Sequence, residues 1–312
     1  MPSSVAHAYI ARDVYKKLDK RIKQKIKIDY LEDYKTYAQG PDIFYFYKII
    51  TSFTTKSKKI RNFGHTCHDK KVNDVFITLT NKVKISKDTN QFLYLIGLTT
   101  HYLADSIIHP YINYKSVRMK KKYFKKKDAH FLLETYFDNY MINKEENINY
   151  KKFKVYNFCF NLKRKEEVVN LLNETFKEVF NQDNMGEKYF KGVDDAKKFF
   201  KYVRYDPIGY KKYFYKFFNI FLKRCFRDVR YLSYNLDLDK DVDYLNLNHD
   251  IWYNLDDKTL KSKKSLLDLY GDVVSNAKEI IEKLYDYVFN DYEVDLEKLF
   301  GNKSYGSGLP LK

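Results

Sequence analysis

The sequence predicts an all-α protein, and three observations support this fold class. Turn-forming residues are scarce, since the 312 residues include only 10 glycines and 5 prolines, fewer than an α/β protein of this length needs. Several stretches repeat apolar residues at the three- and four-residue intervals of a helix. Ser265 and Asp268 form a capping signal at the start of one such stretch.

The apolar spacing places the helices in chain order. They cover approximately residues 5–18, 92–109, 129–141, 168–180, the stretch that follows Pro207, and 265–289. Pro110 is expected to end the second of them. The aromatic stripe from Tyr213 to Phe226 has helical spacing, which favours the core of a helix over a platform for stacking nucleic acid bases.

A polar, lysine-rich stretch near residues 143–157 indicates a soft domain boundary. We therefore expect a catalytic region over residues 1–142 and a helical C-terminal region over residues 143–300, either separate or packed into the same domain. Glycine, serine and proline in residues 301–312 predict a flexible tail.

Composition limits the class of protein. The chain is 44% hydrophobic and 18% aromatic, which excludes wholesale disorder. Its net charge of +17 favours anionic partners, although heavy lysine use also reflects a general composition bias. The three cysteines are far apart, so a disulfide framework or a cysteine zinc site is not expected. The sequence shows neither a signal peptide nor a membrane-spanning stretch, which predicts a cytoplasmic protein.

Histidine carries the strongest functional signal, since six of the seven histidines lie in the first 130 residues. His101, Asp105 and His109 follow one another at intervals of four. Residues four apart advance about 40° around a helix, so all three share one face. Leucine and isoleucine surround them, and polar side chains on a buried face need a partner or a metal.

A second pair, His130 and Glu134, has the same spacing of four, and His65 and His68 are three apart. Imidazole and carboxylate are the ligands that zinc takes where thiolates are absent. One such pair alone is more often an ordinary ion pair, but two helical clusters together with His7 favour a metal site. His65 and His68 compete for one ligand position, and His68 is favoured because it lies nearer the downstream apolar run.

The ordered set of these residues resembles the zinc-dependent phospholipase C family, whose fold is shared with the zinc-dependent single-strand nucleases. The resemblance covers about residues 5 to 140. The residues that carry it are His7, the segment Gly40-Pro41-Asp42, His68, His101-x3-Asp105-x3-His109 and His130-x3-Glu134.

The resemblance implies a multi-helix phospholipase C/nuclease-like bundle with additional C-terminal helices, and a centre of two or three zinc ions. Three groups of ligands are implied. They are Asp42, His68, His101 and Asp105 for one ion; His109, His130 and Glu134 for a second; and His7, the bridging Asp105 and the chain's N-terminal amine and carbonyl for a third.

The implied activity is hydrolysis of a phosphodiester by attack of metal-activated water on phosphorus, with Asp42 as zinc ligand and general base. The expected substrate is a phospholipid or another phosphodiester, with peripheral contact to an anionic membrane. Nucleic acid is the less favoured partner. Two alternatives stay open at this point: a zinc-dependent single-strand nuclease, and a non-catalytic helical protein that binds an anionic partner.

Overall fold

A computed structural model describes residues 4–52, 54–120, 126–222, 232–233 and 241–311. The protein is all-α, as predicted from the scarcity of turn residues and the helical apolar spacing. The α-helices are α1 (Ser4–Lys17), α2 (Lys20–Lys25), α3 (Leu31–Tyr37), α4 (Thr55–Asp69), α5 (Val72–Ser86), α6 (Thr89–Lys120), α7 (Lys126–Glu146), α8 (Val155–Phe158), α9 (Glu166–Phe180), α10 (Met185–Phe199), α11 (Tyr210–Leu222), α12 (Leu266–Phe289) and α13 (Leu296–Phe300).

Shorter elements lie between these helices, among them 3-10 helices at Ile28–Tyr30 and Tyr150–Lys152 and a π-helix at Phe200–Arg204. Two-residue strands β1 (Trp252–Tyr253) and β2 (Lys261–Ser262) pair antiparallel, with Trp252 opposite Ser262. A 3-10 helix spans Gly40–Phe46 between α3 and α4. This short helix matters for function because it carries Asp42.

Helix α6 lies at the centre of the fold and packs against α1, α3, α5, α7, α9 and α12. Its apolar residues Phe92, Leu95 and Ile96 are fully buried. Gly97 permits the close approach of α3, because a Cβ at this position would lie 2.5 Å from the Cβ of Tyr37. This packing fixes the helix that carries three of the predicted site residues.

The capping prediction for α12 is confirmed. The Ser265 side chain accepts a hydrogen bond from the backbone N–H of Asp268, and the Asp268 carboxylate accepts one from the backbone N–H of Ser265. This reciprocal pair satisfies two of the N–H groups that a helix start leaves without intrahelical partners.

The prediction that Pro110 ends the second helix is wrong, since α6 continues through it to Lys120. Proline removes one backbone N–H, which leaves the carbonyl of Ser106 without its usual helical partner. The continuation is held by packing instead. Tyr111 is buried, its ring lies 5.6 Å from that of Trp252, and its hydroxyl donates to the carbonyl of Tyr244.

The prediction of a buried aromatic stripe is also wrong for the part that the structure describes. Tyr213, Phe214 and Phe217 of α11 are each more than half exposed. Helical spacing shows that the aromatic residues share a face, but it does not show whether that face points inward. Residues 223–226 lie outside the described residues.

Residues 301–311, here called the C-terminal segment, pack against α4 and α6. Ser304 donates from its hydroxyl to Asp69 at 2.7 Å, and Asn113 donates to the carbonyl of Gly306. Gly308 lies directly on the Ser106 carbonyl, since a Cβ there would be 2.3 Å from that oxygen. The division at residues 142/143 and the flexibility of residues 301–312 stay predictions.

Candidate metal centre

Helix α6 brings His101, Asp105 and His109 to one face, as their spacing predicted. The Nε2 atom of His101 lies 3.3 Å from one Asp105 carboxylate oxygen, and Nδ1 of His109 lies 3.7 Å from the other. His101 and Asp105 are buried, and His109 is partly buried. Three polar side chains therefore line the inner face of the central helix.

A first group forms where α1 and the 3-10 helix meet α6. It contains His7, Asp42, His101 and Asp105, whose nearest ligand atoms all lie within 4.8 Å of one another. All four residues are buried. Their density of buried imidazole and carboxylate groups is typical of a metal site rather than of an isolated ion pair.

His68 joins this group, and His65 does not. Nε2 of His68 lies 3.1 Å from Asp42 and 3.7 Å from Asp105. His65 is exposed and its Nδ1 lies 3.0 Å from the Tyr45 hydroxyl. Both histidines lie on α4, where residues three apart are offset by about 60°, and only His68 points at the carboxylates.

A second group lies where α7 packs against α6, and contains His109, His130 and Glu134. Nε2 of His130 lies 2.8 Å from Glu134, and Nε2 of His109 lies 3.3 Å from the same carboxylate oxygen. The structure thus places the eight side chains that were predicted as ligands in two neighbouring groups, and leaves the competing His65 outside them. The predicted third set also included the N-terminal amine, and residues 1–3 lie outside the described residues.

Asp105 connects the two groups. One of its oxygens lies 3.2 Å from Nε2 of His7 in the first group and 3.7 Å from Nδ1 of His109 in the second. A cavity of about 20 Å³ separates the two groups and is bounded by His7, Asp105, His109 and Glu134 together with apolar residues. Its volume suits one water-sized species.

Buried polar atoms test whether these residues fit a metal. Within the described part of the chain, five buried atoms of the two groups make no hydrogen bond: His7 Nδ1, Asp42 Oδ2, His101 Nε2, Asp105 Oδ2 and Glu134 Oε2. Leaving such atoms unsatisfied costs about 1–3 kcal/mol each. Divalent cations would satisfy several of them together, so the donor set fits zinc.

Backbone carbonyls orient three of the imidazoles. Nδ1 of His101 lies 3.1 Å from the carbonyl of Ala38, and Nδ1 of His109 lies 3.1 Å from the carbonyl of Tyr305. Nδ1 of His68 similarly meets the carbonyl of Gly64. A carbonyl can only accept, so each Nδ1 carries the proton and each Nε2 faces the carboxylates.

Burial and neighbouring charges shift the pKa values of the site residues in different directions. Burial lowers the pKa of His101 to about 4. Burial also lowers the pKa of His109, but Asp105 and Glu134 outweigh it and raise that pKa to about 9. Burial would raise the pKa of Asp105, whereas the surrounding imidazoles His109, His101 and His7 hold it well below its usual range. The Asp105 carboxylate is therefore ionised, as a metal ligand must be.

Sequence reasoning did not find the residues that orient the histidines. Ala38, Gly64 and Tyr305 act through backbone carbonyls, which every residue carries, so residue type gives no signal. Tyr45, whose hydroxyl contacts both His65 and His68, was likewise not among the predicted site residues.

Comparisons with known proteins agree with this geometry. The sequence profile of the zinc-dependent phospholipase C family matches residues 6–186, more than half of the chain. No curated protein and no solved structure matches the chain. None of the described helices is long and apolar enough to cross a membrane. From the profile match and the two groups of histidines and carboxylates, we conclude that the chain belongs to the zinc-dependent phospholipase C family.

Proposed function

We propose that the protein is a zinc-dependent hydrolase of phosphodiester bonds with phospholipase C-like activity. The observation that carries the proposal is the pair of neighbouring histidine and carboxylate groups, with Asp105 of the first lying 3.7 Å from His109 of the second. Two metals held by such neighbouring groups would suit a phosphodiester, because they could bind its oxygens and stabilise the leaving oxygen.

The proposed ligands follow the two groups. Asp42, His68, His101 and Asp105 would hold one zinc ion, and His109, His130 and Glu134 a second. His7 and Asp105 would contribute to a third. His7 lies against Asp105 with its ring centroid 4.5 Å from that of His101, which supports a place for it in the same centre. We therefore propose two or three ions.

When bound, zinc supplies a Lewis acid that polarises a phosphoryl oxygen and makes a nearby water more acidic. The protein residues would position the reactants. Asp42 presents one oxygen to His68 and leaves Oδ2, a buried atom without a hydrogen bond, at the same site. We propose that Asp42 serves as metal ligand and that its Oδ2 accepts the proton of the attacking water.

The substitution Asp42→Asn tests this role. We expect turnover to fall by about 100-fold or more, because the amide oxygen cannot take the proton. Zinc content is measured on the same sample, since Asp42 is also a proposed ligand. Asp183→Asn, at an exposed position, serves as the matched control. Near-normal turnover of the Asp42 variant with intact zinc would contradict the role of Asp42 as base.

Substrate choice separates the proposed activity from its alternatives. We expect the zinc-loaded protein to hydrolyse a chromogenic phosphocholine diester faster than it cleaves single-stranded DNA, and to lose this activity on chelation. Faster DNA cleavage would favour the nuclease alternative. Zinc binding without either reaction would favour the non-catalytic alternative.

We propose that helix α11 contacts the anionic membrane that presents the substrate. Tyr210, Tyr213, Phe214 and Phe217 occupy positions i, i+3, i+4 and i+7, and their side chains are between 55% and 69% exposed. Three lysines and no acidic residue lie in the same helix, at positions 211, 212 and 216. Exposed aromatic residues with flanking lysines are typical of helices that lie in an anionic lipid interface.

Vesicle sedimentation with metal-free protein tests this contact without hydrolysis. We expect binding to phosphatidylcholine vesicles to strengthen when phosphatidylglycerol is added, and to weaken in the double variant Tyr213→Ser, Phe217→Ser. Ile85→Ser is the control, because Ile85 is 85% exposed on α5. Equal binding by all three proteins would exclude α11 as the lipid contact. If the wild type and Ile85→Ser form dimers and the double variant does not, the exposed face of α11 binds a second copy of the chain instead.

A further inference from the structure

Tyr305 of the C-terminal segment makes two backbone hydrogen bonds to the candidate metal centre. Its carbonyl accepts from Nδ1 of His109 at 3.1 Å, across 196 residues of sequence. Its N–H donates to the carbonyl of His68 at 3.2 Å. One residue near the C-terminal end of the described chain therefore contacts a histidine of each group.

The side chain of Tyr305 covers the same region. It is 3% exposed, and its ring centroid lies 4.7 Å from that of His68 and 5.7 Å from that of His101. The ring therefore shields the imidazoles of the first group from solvent on one side.

Three contacts fix the segment on either side of Tyr305. The Ser304 hydroxyl donates to Asp69 at 2.7 Å, and the backbone N–H of Lys303 donates to the Tyr102 hydroxyl at 2.9 Å. Gly308, at φ +67°, lies on the Ser106 carbonyl that Pro110 leaves without a helical donor. The segment docks on α4 and on the part of α6 between Tyr102 and Asn113, which contains Asp105 and His109.

We propose that the C-terminal segment positions His109 for metal binding, with Tyr305 as the positioning residue. The Tyr305 carbonyl holds a proton on Nδ1 of His109, so that Nε2, which faces Glu134 and the second group, is the nitrogen that would bind the metal. This inference rests on the proposed zinc site. It goes beyond the family match, which ends at residue 186.

Two glycines in the segment allow a matched test. At Gly308 a Cβ would lie 2.3 Å from the Ser106 oxygen, so Gly308→Ala must displace the segment from α6. At Gly306 a Cβ would meet only the Ser304 hydroxyl oxygen, at an ordinary 3.8 Å. Gly306→Ala is therefore the control. Ser304→Ala, which removes the contact with Asp69, provides a milder displacement if Gly308→Ala folds poorly.

Zinc binding is measured by competition with a chromophoric chelator on the full-length proteins. We expect Gly308→Ala to weaken one zinc site by about tenfold or more, the usual effect of losing a partner that orients a ligand. Gly306→Ala should match the wild type. Nitrogen-15 spectra of the histidine rings give a second reading. The protonated Nδ1 signal of His109 should be present in zinc-loaded wild type and changed in Gly308→Ala.

The outcomes separate this inference from the proposed function. A wild-type protein that binds no zinc would reject the zinc site itself. A wild-type protein that binds zinc, with unchanged affinity and an unchanged His109 signal in both Gly308→Ala and Ser304→Ala, would reject the positioning role alone.

Discussion

Single residues set the geometry of the candidate metal centre, and Gly40 is one example. Its φ of +52° lies in the left-handed region, and the space that a side chain would take is filled by the ring of His101. A Cβ at this position would lie 2.3 Å from that ring. Glycine at position 40 thus lets the 3-10 helix carry Asp42 next to His101.

We expect Gly40→Ala to weaken zinc binding by about tenfold, because it must move His101, in addition to a backbone cost of about 1–2 kcal/mol. A chelator titration measures the affinity. Gly271→Ala is the control, since a Cβ there meets nothing within 4 Å. Unchanged affinity in Gly40→Ala would show that His101 does not need its present position.

At the residue scale the sequence predicted the proposed ligands and missed the groups that orient them. The ligands were predictable because imidazole and carboxylate are rare on an apolar helical face, so His101 and Asp105 stand out. The carbonyls of Ala38 and Tyr305 were not, because their role depends on which parts of the backbone meet in the fold.

At the scale of elements, a polar cluster joins α1 to α12. The Tyr270 hydroxyl donates to Asp13 at 2.6 Å, and Arg12 contacts the same carboxylate at 2.9 Å. Burial would raise the pKa of Asp13, but these hydrogen bonds and that of Lys16 hold it below its ordinary value of 3.8. The ionised carboxylate therefore stabilises the contact between the two helices.

This contact has a predicted pH dependence. The pKa of Asp13 is lower in the folded protein than in the unfolded chain, so its stabilisation is present above pH 3.8 and lost as the pH falls below that value. We expect Asp13→Asn to lower the free energy of unfolding near neutral pH, and the difference from wild type to shrink in acid. Urea unfolding at several pH values measures this. A difference that does not vary with pH would contradict it.

Helix positions were largely predictable, and their ends were less so. The predicted stretch 168–180 corresponds to α9, which begins at Glu166, because a strong apolar period defines a long helix. The end of α6 was missed because Pro110 is a local signal, whereas the packing of Tyr111 on Trp252 that carries the helix onward is a long-range one.

At the scale of the whole molecule, the residues of the candidate metal centre come from α1, α4, α6, α7 and the 3-10 helix that carries Asp42. Ions that bind only the folded protein stabilise it by about 4 kcal/mol when free metal is 1,000-fold above the dissociation constant. We expect removal of zinc by a chelator to lower the melting temperature by on the order of 5–10 °C.

Calorimetry with and without chelator measures this shift, and Asp105→Asn is the informative comparison. Asp105 lies between the two groups, so its variant should gain little from added zinc. If the chelator does not change the melting temperature of the wild type, the histidines stabilise the packing of the helices without metal.

The composition of residues 301–312 predicts flexibility, but composition is a local property and does not show where a segment lies. The position of the C-terminal segment depends on Pro110, Ser106 and Asp69, which are distant in sequence. Such contacts could not be inferred from the glycine and serine content alone.

The hydrogen bond between His109 and Tyr305 has a kinetic consequence, because it closes a loop of 196 residues. Contacts between residues so far apart form slowly, after local helices. Refolding should therefore restore helical circular dichroism before tight zinc uptake, followed with an indicator dye. Simultaneous recovery of both signals would mean that tight zinc binding does not wait for the contact between His109 and Tyr305.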